Sequence, residues 1–214
     1  MAGLDFTQIL IGLSVLIASL SVHEAAHAFA ADRLGDSTAR LLGRLSLNPA
    51  VHVDPIGTLL FPLVAMMTGV PLIGWAKPVP VNPRMLKSPR RDFAIIAAAG
   101  PASNLLLALA AAGVLALLPD IRPGDIAGRA VLSTPVQVLR LAVYLNVLLA
   151  VFNMLPVPPL DGGNVLIGVL PAGGARVVEL IRPYGFMILY ALMLTGTLSL
   201  IAAPLQYFIL EWLL

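Results

Sequence analysis

Five stretches of this chain hold no charged residue: 6–22, 55–76, 93–119, 141–160 and 183–210, with lengths of 17, 22, 27, 20 and 28. A helix needs about 20 apolar residues to cross the ~30 Å hydrocarbon core of a bilayer. The lengths gather around that figure. Only 11% of the 214 residues are charged and 59% are apolar, whereas a soluble domain carries roughly a quarter charged. Thirteen basic and 11 acidic side chains cannot cover a soluble fold of this size. The chain therefore reads as an all-α polytopic membrane protein, a single membrane-embedded domain over residues 1–214.

Other classes fall away on the same numbers. A formal net charge of +2 is too small for a nucleic-acid surface. The absence of cysteine excludes disulfides and thiolate metal sites. The first apolar run has Asp5 as its only flanking charge and lacks a basic lead-in, so it is expected to stay on the protein rather than be cleaved as a signal peptide.

Membrane helices are expected over 4–31, 93–118 and 135–155, followed by a short apolar piece and a final block from Tyr184 that contains Pro204. The alternation Leu42-Gly43-Arg44-Leu45-Ser46-Leu47 suggests short strands. Lys and Arg number three in 32–54 and five in 77–91, two in each of 119–134 and 164–182, and none in either tail. That bias puts 77–91 in the cytoplasm and both termini outside. It also gives segment 55–76 two cytoplasmic flanks. Its Pro55, Pro62 and Pro71, with three glycines, fit a re-entrant segment, because broken backbone at membrane depth is tolerated where protein buries it. The expected architecture is about five transmembrane helices, one re-entrant segment and a small membrane-associated β element.

Within the first helix lies His23-Glu24-Ala25-Ala26-His27. Helical spacing places both imidazoles on one face with Glu24 beside them, which suits two zinc ligands and a general base. Ionisable groups inside a span are costly and mark function. If the helix leaves the membrane near Asp32, the motif lies on the order of 8–14 Å below the cytoplasmic boundary. Zinc needs a third protein ligand. Asp161 and His52 are the candidates. Asp161 follows a helix end in Asn153-Met154-Leu155-Pro156-Val157-Pro158-Pro159-Leu160-Asp161-Gly162-Gly163, where prolines break the helix and glycines widen the backbone choices. His52 sits in a proline-bracketed polar loop. Asn104, on a membrane helix, reads as packing or site support.

With these motifs in place, the chain resembles the site-2 protease family of intramembrane zinc metalloproteases. The resemblance rests on His23–His27, on Gly100-Pro101-Ala102-Ser103-Asn104 and on the Asn153–Gly163 stretch, which together span about half of the chain. It implies a compact member, with no room in these residues for a PDZ or nucleotide-sensing domain. It implies cleavage of transmembrane-helix protein substrates within the lipid bilayer, one Zn²⁺ on His23, His27 and Asp161, and Glu24 as base. It further implies a re-entrant β element near the site and Asn153 in contact with substrate or the reacting carbonyl; placement in a prokaryotic cell membrane is expected, and the charge bias and the depth of the motif put the site toward the cytoplasmic leaflet. Asn104 and His52 are further candidates for the substrate region. The 72 residues between His27 and Gly100 exceed what compact members are expected to carry. Two rival readings are a membrane metal-binding or transport protein and an inactive member that only binds transmembrane partners.

Overall fold

The structure is a computed structural model and describes residues 6–70, 73–118 and 134–214. The polar loop expected over 119–134 lies, but for its last residue, outside the described residues. Nine α-helices run in the order α1 (Phe6–Arg33), α2 (Thr38–Leu41), α3 (Phe61–Thr68), α4 (Pro89–Leu117), α5 (Thr134–Asn153), α6 (Asp161–Val169), α7 (Ala172–Ile181), α8 (Gly185–Leu194) and α9 (Thr197–Leu213) among the described residues. Among the described residues, four helical stretches are long and apolar enough to cross a bilayer: α1, α4, Pro135–Asn153 of α5, and the continuous Ala172–Leu194 that joins α7 to α8.

Helix α4 is the hub, packed against α1, α5 and α6. Lipid tails are as apolar as leucine, so helices in a bilayer associate by close packing, which small residues permit. The buried positions of α4 include Ala94, Ala97, Gly100, Asn104, Ala108 and Ala111, a helical i, i+3, i+4 stripe of mostly small side chains. Its opposite face turns Ile95, Leu105, Leu106 and Leu109 outward. Ala108, Ala111 and Ala112 meet Val143, Val147 and Val151 of α5 and Ala202 of α9 in the largest apolar cluster. Helix α6 lies so close to α4 that a methyl group on Gly168 would sit 2.2 Å from Ala94 Cβ. The Arg90 guanidinium donates to the carbonyls of Ile167 (2.9 Å) and Leu170 (2.6 Å), tying the end of α6 to the start of α4.

The segment 55–76 does not form a long helix. Pro55–Leu60 winds as a π-helical turn that runs on into α3, 14 residues in all, and Gly69 ends it with φ +71°. At ~1.5 Å per residue this rises only about 21 Å, short of the ~30 Å core. The chain then comes back to where it began. Trp75 N–H donates to Gly57 O (3.2 Å), Thr58 Oγ1 donates to Trp75 O (2.8 Å), and the Trp75 indole fills the space a side chain at Gly57 would need. Both ends of the segment therefore lie at one level.

One expectation changes. No strand forms among the described residues, and 42–47 is a turn, with Gly43 at φ +68° and Arg44 N–H bonded to Ala39 O at 2.8 Å. Burial does not alternate along it: Leu42 and Leu47 are 63% and 67% exposed, Leu45 and Ser46 are both half-buried, and Arg44 is 7% exposed. The pattern arises because the buried interior here is where Arg44 finds carbonyl partners, not because a neighbouring strand exists. The final apolar block is likewise two helices, broken at Thr195-Gly196 where Gly196 takes φ +74°. Beside the four long stretches, the shorter apolar helices among the described residues are Pro55–Thr68 and Thr197–Leu213.

Candidate metal centre

His23 and His27 are one turn apart on α1, and both are buried. Helix α4 crosses directly over them at Gly100, where a methyl group would lie 2.4 Å from His27 Nε2 and 2.6 Å from His23 Cε1. Glycine is therefore required at this position by close approach. Helix α5 ends at Asn153, and the chain turns through Met154–Leu160 before α6 starts at Asp161. Gly162 and Gly163 adopt ordinary helical backbone inside α6, so their use is contact rather than unusual φ. Methyl groups there would strike Met154 O at 2.2 Å and Pro158 N at 2.7 Å. The turn presses onto the first residues of α6 and aims the Asp161 carboxylate at the two imidazoles.

Three ligand atoms converge. His23 Nε2 and His27 Nε2 are 3.0 Å apart, and Asp161 Oδ2 lies 3.1 Å from the first and 3.4 Å from the second. Ligands on a tetrahedral zinc, with bonds of about 2.0–2.1 Å, are spaced about 3.3 Å from each other. Proton positions make the case stronger. His27 Nδ1–H donates to the Ile96 carbonyl at 2.7 Å, which can only accept. Asn104 Nδ2 donates to Asn146 Oδ1 (2.7 Å), which turns Asn104 Oδ1 toward His23 Nδ1 (2.5 Å) as an acceptor. Both histidines thus carry their protons on Nδ1 and present lone pairs on Nε2. Asp161 Oδ2 is buried and accepts no hydrogen bond from any described residue. Three electron-rich atoms facing each other at these distances call for a cation, and the two-imidazole, one-carboxylate set suits zinc.

The support behind His23 is a polar relay in the apolar interior. Asn146 Nδ2 donates to Ser19 Oγ (2.9 Å) and to Ala142 O (2.9 Å), which fixes its amide orientation and through it that of Asn104. Asn104 is fully buried and is absent from the lining of the cavity, so it faces the ligand rather than the substrate space. Outer partners of this kind typically contribute 10- to 100-fold to metal affinity. Asn104→Ala is expected to weaken zinc binding by about that factor, read by competition with a chelator of known affinity.

The cluster opens on a cavity of about 450 Å³. Glu24 lines it, beside His23, His27, Asp161, Asn153 and Asn164, and most of the remaining wall is apolar, including Trp75, Phe93 and Phe152. Glu24 is buried, and its Oε2 accepts the Val79 N–H at 3.0 Å. Asn153 points one amide proton at Leu149 O (2.9 Å) within its own helix. His52 is elsewhere. It is 1% exposed, its Nε2 bonds Ser46 O at 2.7 Å, and it does not line the cavity. It braces the 46–52 loop, whose own carbonyl at His52 accepts Lys77 N–H at 2.8 Å. Sequence reasoning passed over Asn146, Ser19, Val79 and the role of Arg44. Only Asn146 had a readable signal, one of two amides inside the charge-free run 141–160.

Known proteins agree with this chemistry. The sequence profile of Peptidase family M50 matches residues 121–195. The chain is 39% identical over 191 residues to "Putative zinc metalloprotease YwhC" of Bacillus subtilis, covering 89% of this chain and 83% of that one. It is 32% identical over 182 residues to "Putative zinc metalloprotease Rip2" of Mycolicibacterium smegmatis, covering 85% of this chain and 65% of that one. A third relative, "Putative zinc metalloprotease Rip3" of Mycobacterium tuberculosis, is 32% identical over 158 residues but only 30% of it is covered. No solved structure matches. An identity of this size over most of both chains, together with apolar helices of membrane-crossing length, makes the chain an integral membrane zinc metalloprotease that belongs to the site-2 protease family, Peptidase family M50.

Proposed function

We propose that this protein hydrolyses peptide bonds within or near the transmembrane helices of substrate proteins, at a site below the cytoplasmic surface. The observation that carries the reading is the placement of His23, His27 and Asp161 beside Glu24 on a largely apolar cavity inside the helix bundle. The three ligand residues would hold zinc, which when bound acts as a Lewis acid toward water and the scissile carbonyl. Glu24 takes the proton from the attacking water and delivers it to the leaving amide nitrogen. Asn153 keeps one amide proton beyond its bond to Leu149 O and serves as a donor to the developing oxyanion.

A substrate helix must unwind before its peptide groups can be attacked. The non-helical segment 73–82 runs along the cavity, and the carbonyls of Val79 and Val81 accept no hydrogen bond from any described residue. An unwound substrate added alongside this edge would be held extended. Membrane orientation follows the charges: the C-terminal end of α1 and the N-terminal end of α4, with Arg84, Lys87, Arg90 and Arg91, face the cytoplasm, and the termini lie outside.

Two measurements test this. Purified protein is expected to cut a subset of membrane-spanning peptides within or beside the span and to stop when zinc is chelated. A zinc-loaded preparation inert toward the whole panel would favour the metal-transport or inactive-member readings. The chain has no cysteine, so single-cysteine labelling is clean. Lys87→Cys is expected to resist an impermeant thiol reagent applied outside intact cells. Labelling from outside would show that 55–76 crosses the membrane.

A further inference from the structure

Arg44 is a buried guanidinium in a chain that has few charges, and it pairs with no carboxylate among the described residues. A buried cation without a counter-ion is costly. Its partners are three carbonyls. Nη1 donates to Val51 O, and Nη2 donates to Lys77 O (2.5 Å) and Pro78 O (3.0 Å). The Pro78 carbonyl belongs to the same peptide plane as the Val79 N–H. That bond is trans, as Pro158–Pro159 is the one cis bond among the described residues, so its C=O and N–H point in opposite directions. Gripping the carbonyl from one side therefore aims the N–H from the other, and what it meets is Glu24 Oε2 at 3.0 Å.

Local sequence stiffens this plane. Pro78 has a fixed φ, and Val79 is held extended because Pro80 follows it. The segment is pinned further along, where Asn82 N–H donates to the buried Asp36 at 2.6 Å. A guanidinium on the carbonyl also polarises the amide, strengthening the N–H as a donor.

We propose that Arg44 is a positioning residue for Glu24, acting across the single peptide plane between Pro78 and Val79. The proposal rests on the reading of Glu24 as the base. It separates Arg44 from a residue that merely stabilises the loop, because its effect must pass through one N–H. Lysine keeps the charge at position 44 but offers one point donor in place of a planar fork. Val79→Pro deletes the N–H in a backbone already extended.

Arg44→Lys and Val79→Pro are each expected to lower kcat about 10- to 100-fold, with KM and zinc content unchanged. The double variant should be no slower than the slower single one. Losses that multiply would overturn the proposal. Residue-resolved amide exchange supplies an arm independent of activity, since Pro78, Pro80 and Pro83 leave only Lys77, Val79, Val81 and Asn82 to exchange in this segment. Val79 should be protected in the native protein and released in Arg44→Lys, while Asn82 stays protected on Asp36. Val79 still protected in Arg44→Lys, or Val79 and Asn82 released together, would overturn it. A protein inert toward every peptide but with Val79 selectively released would leave the lever standing and remove the protease reading instead.

Discussion

Glu24→Gln is expected to keep its zinc and lose nearly all hydrolysis. The substitution is close to isosteric and leaves both imidazoles and the Asp161 carboxylate untouched. The amide oxygen of glutamine can still accept the Val79 N–H, so the contact seen at 3.0 Å survives. What disappears is a group able to take a proton from water. General-base catalysis typically contributes 10²- to 10⁴-fold, and kcat should fall by about that factor. KM should change little, because the wall that receives the substrate is mostly apolar and unaltered. The check is single-turnover cleavage of a membrane-spanning peptide by the two proteins at matched zinc content. Comparable rates would remove Glu24 from its assigned role.

How far this site could be read from the sequence depends on what each residue had to declare. His23, Glu24 and His27 were legible because helical spacing alone puts them on one face, and charged or titratable groups inside an apolar run have few other uses. Asp161 was legible from its setting, a carboxylate just past a proline break in a membrane helix. The means by which it is aimed were not. Gly162 and Gly163 suggested unusual backbone, whereas in the fold they are helical and serve as flat surfaces for the Met154–Leu160 turn. Close approach between segments depends on the tertiary arrangement, and sequence does not display it. The same limit hid Val79, which contributes only a main-chain N–H, and Arg44, which sits in the strand-like stretch 42–47. In a membrane protein apolar residues face outward as readily as inward. Alternation then loses the meaning it has in water. The shortness of α3 and the return of Trp75 to Gly57 accord with the prolines and glycines of 55–76, which argue against a single long helix.

Asp161→Ala should lose zinc sharply, and His52→Ala should retain it. Losing an outer partner of a ligand typically costs 10- to 100-fold in affinity, and removing a ligand itself should cost more. The alanine variant leaves two lone-pair nitrogens 3.0 Å apart without the third protein ligand, which is a poor zinc site. The backbone around position 161 has independent support. The glycine contacts to Met154 and Pro158 remain, and Arg90 still holds the far end of α6 through Ile167 and Leu170. Zinc loss in this variant would therefore report the ligand rather than unfolding. His52 presents the opposite case. Its ring is committed to Ser46 O and is absent from the cavity wall, while the carbonyl that receives Lys77 N–H is main chain and persists in alanine. The variant should lose stability, by about 1–3 kcal/mol if Ser46 O is left buried without a partner, yet bind zinc as the native protein does. Elemental analysis of the two purified proteins, with a thermal melt of each, decides between the candidates. Zinc kept without Asp161 and lost without His52 would place the third ligand in the 46–52 loop and require that loop to swing onto α1.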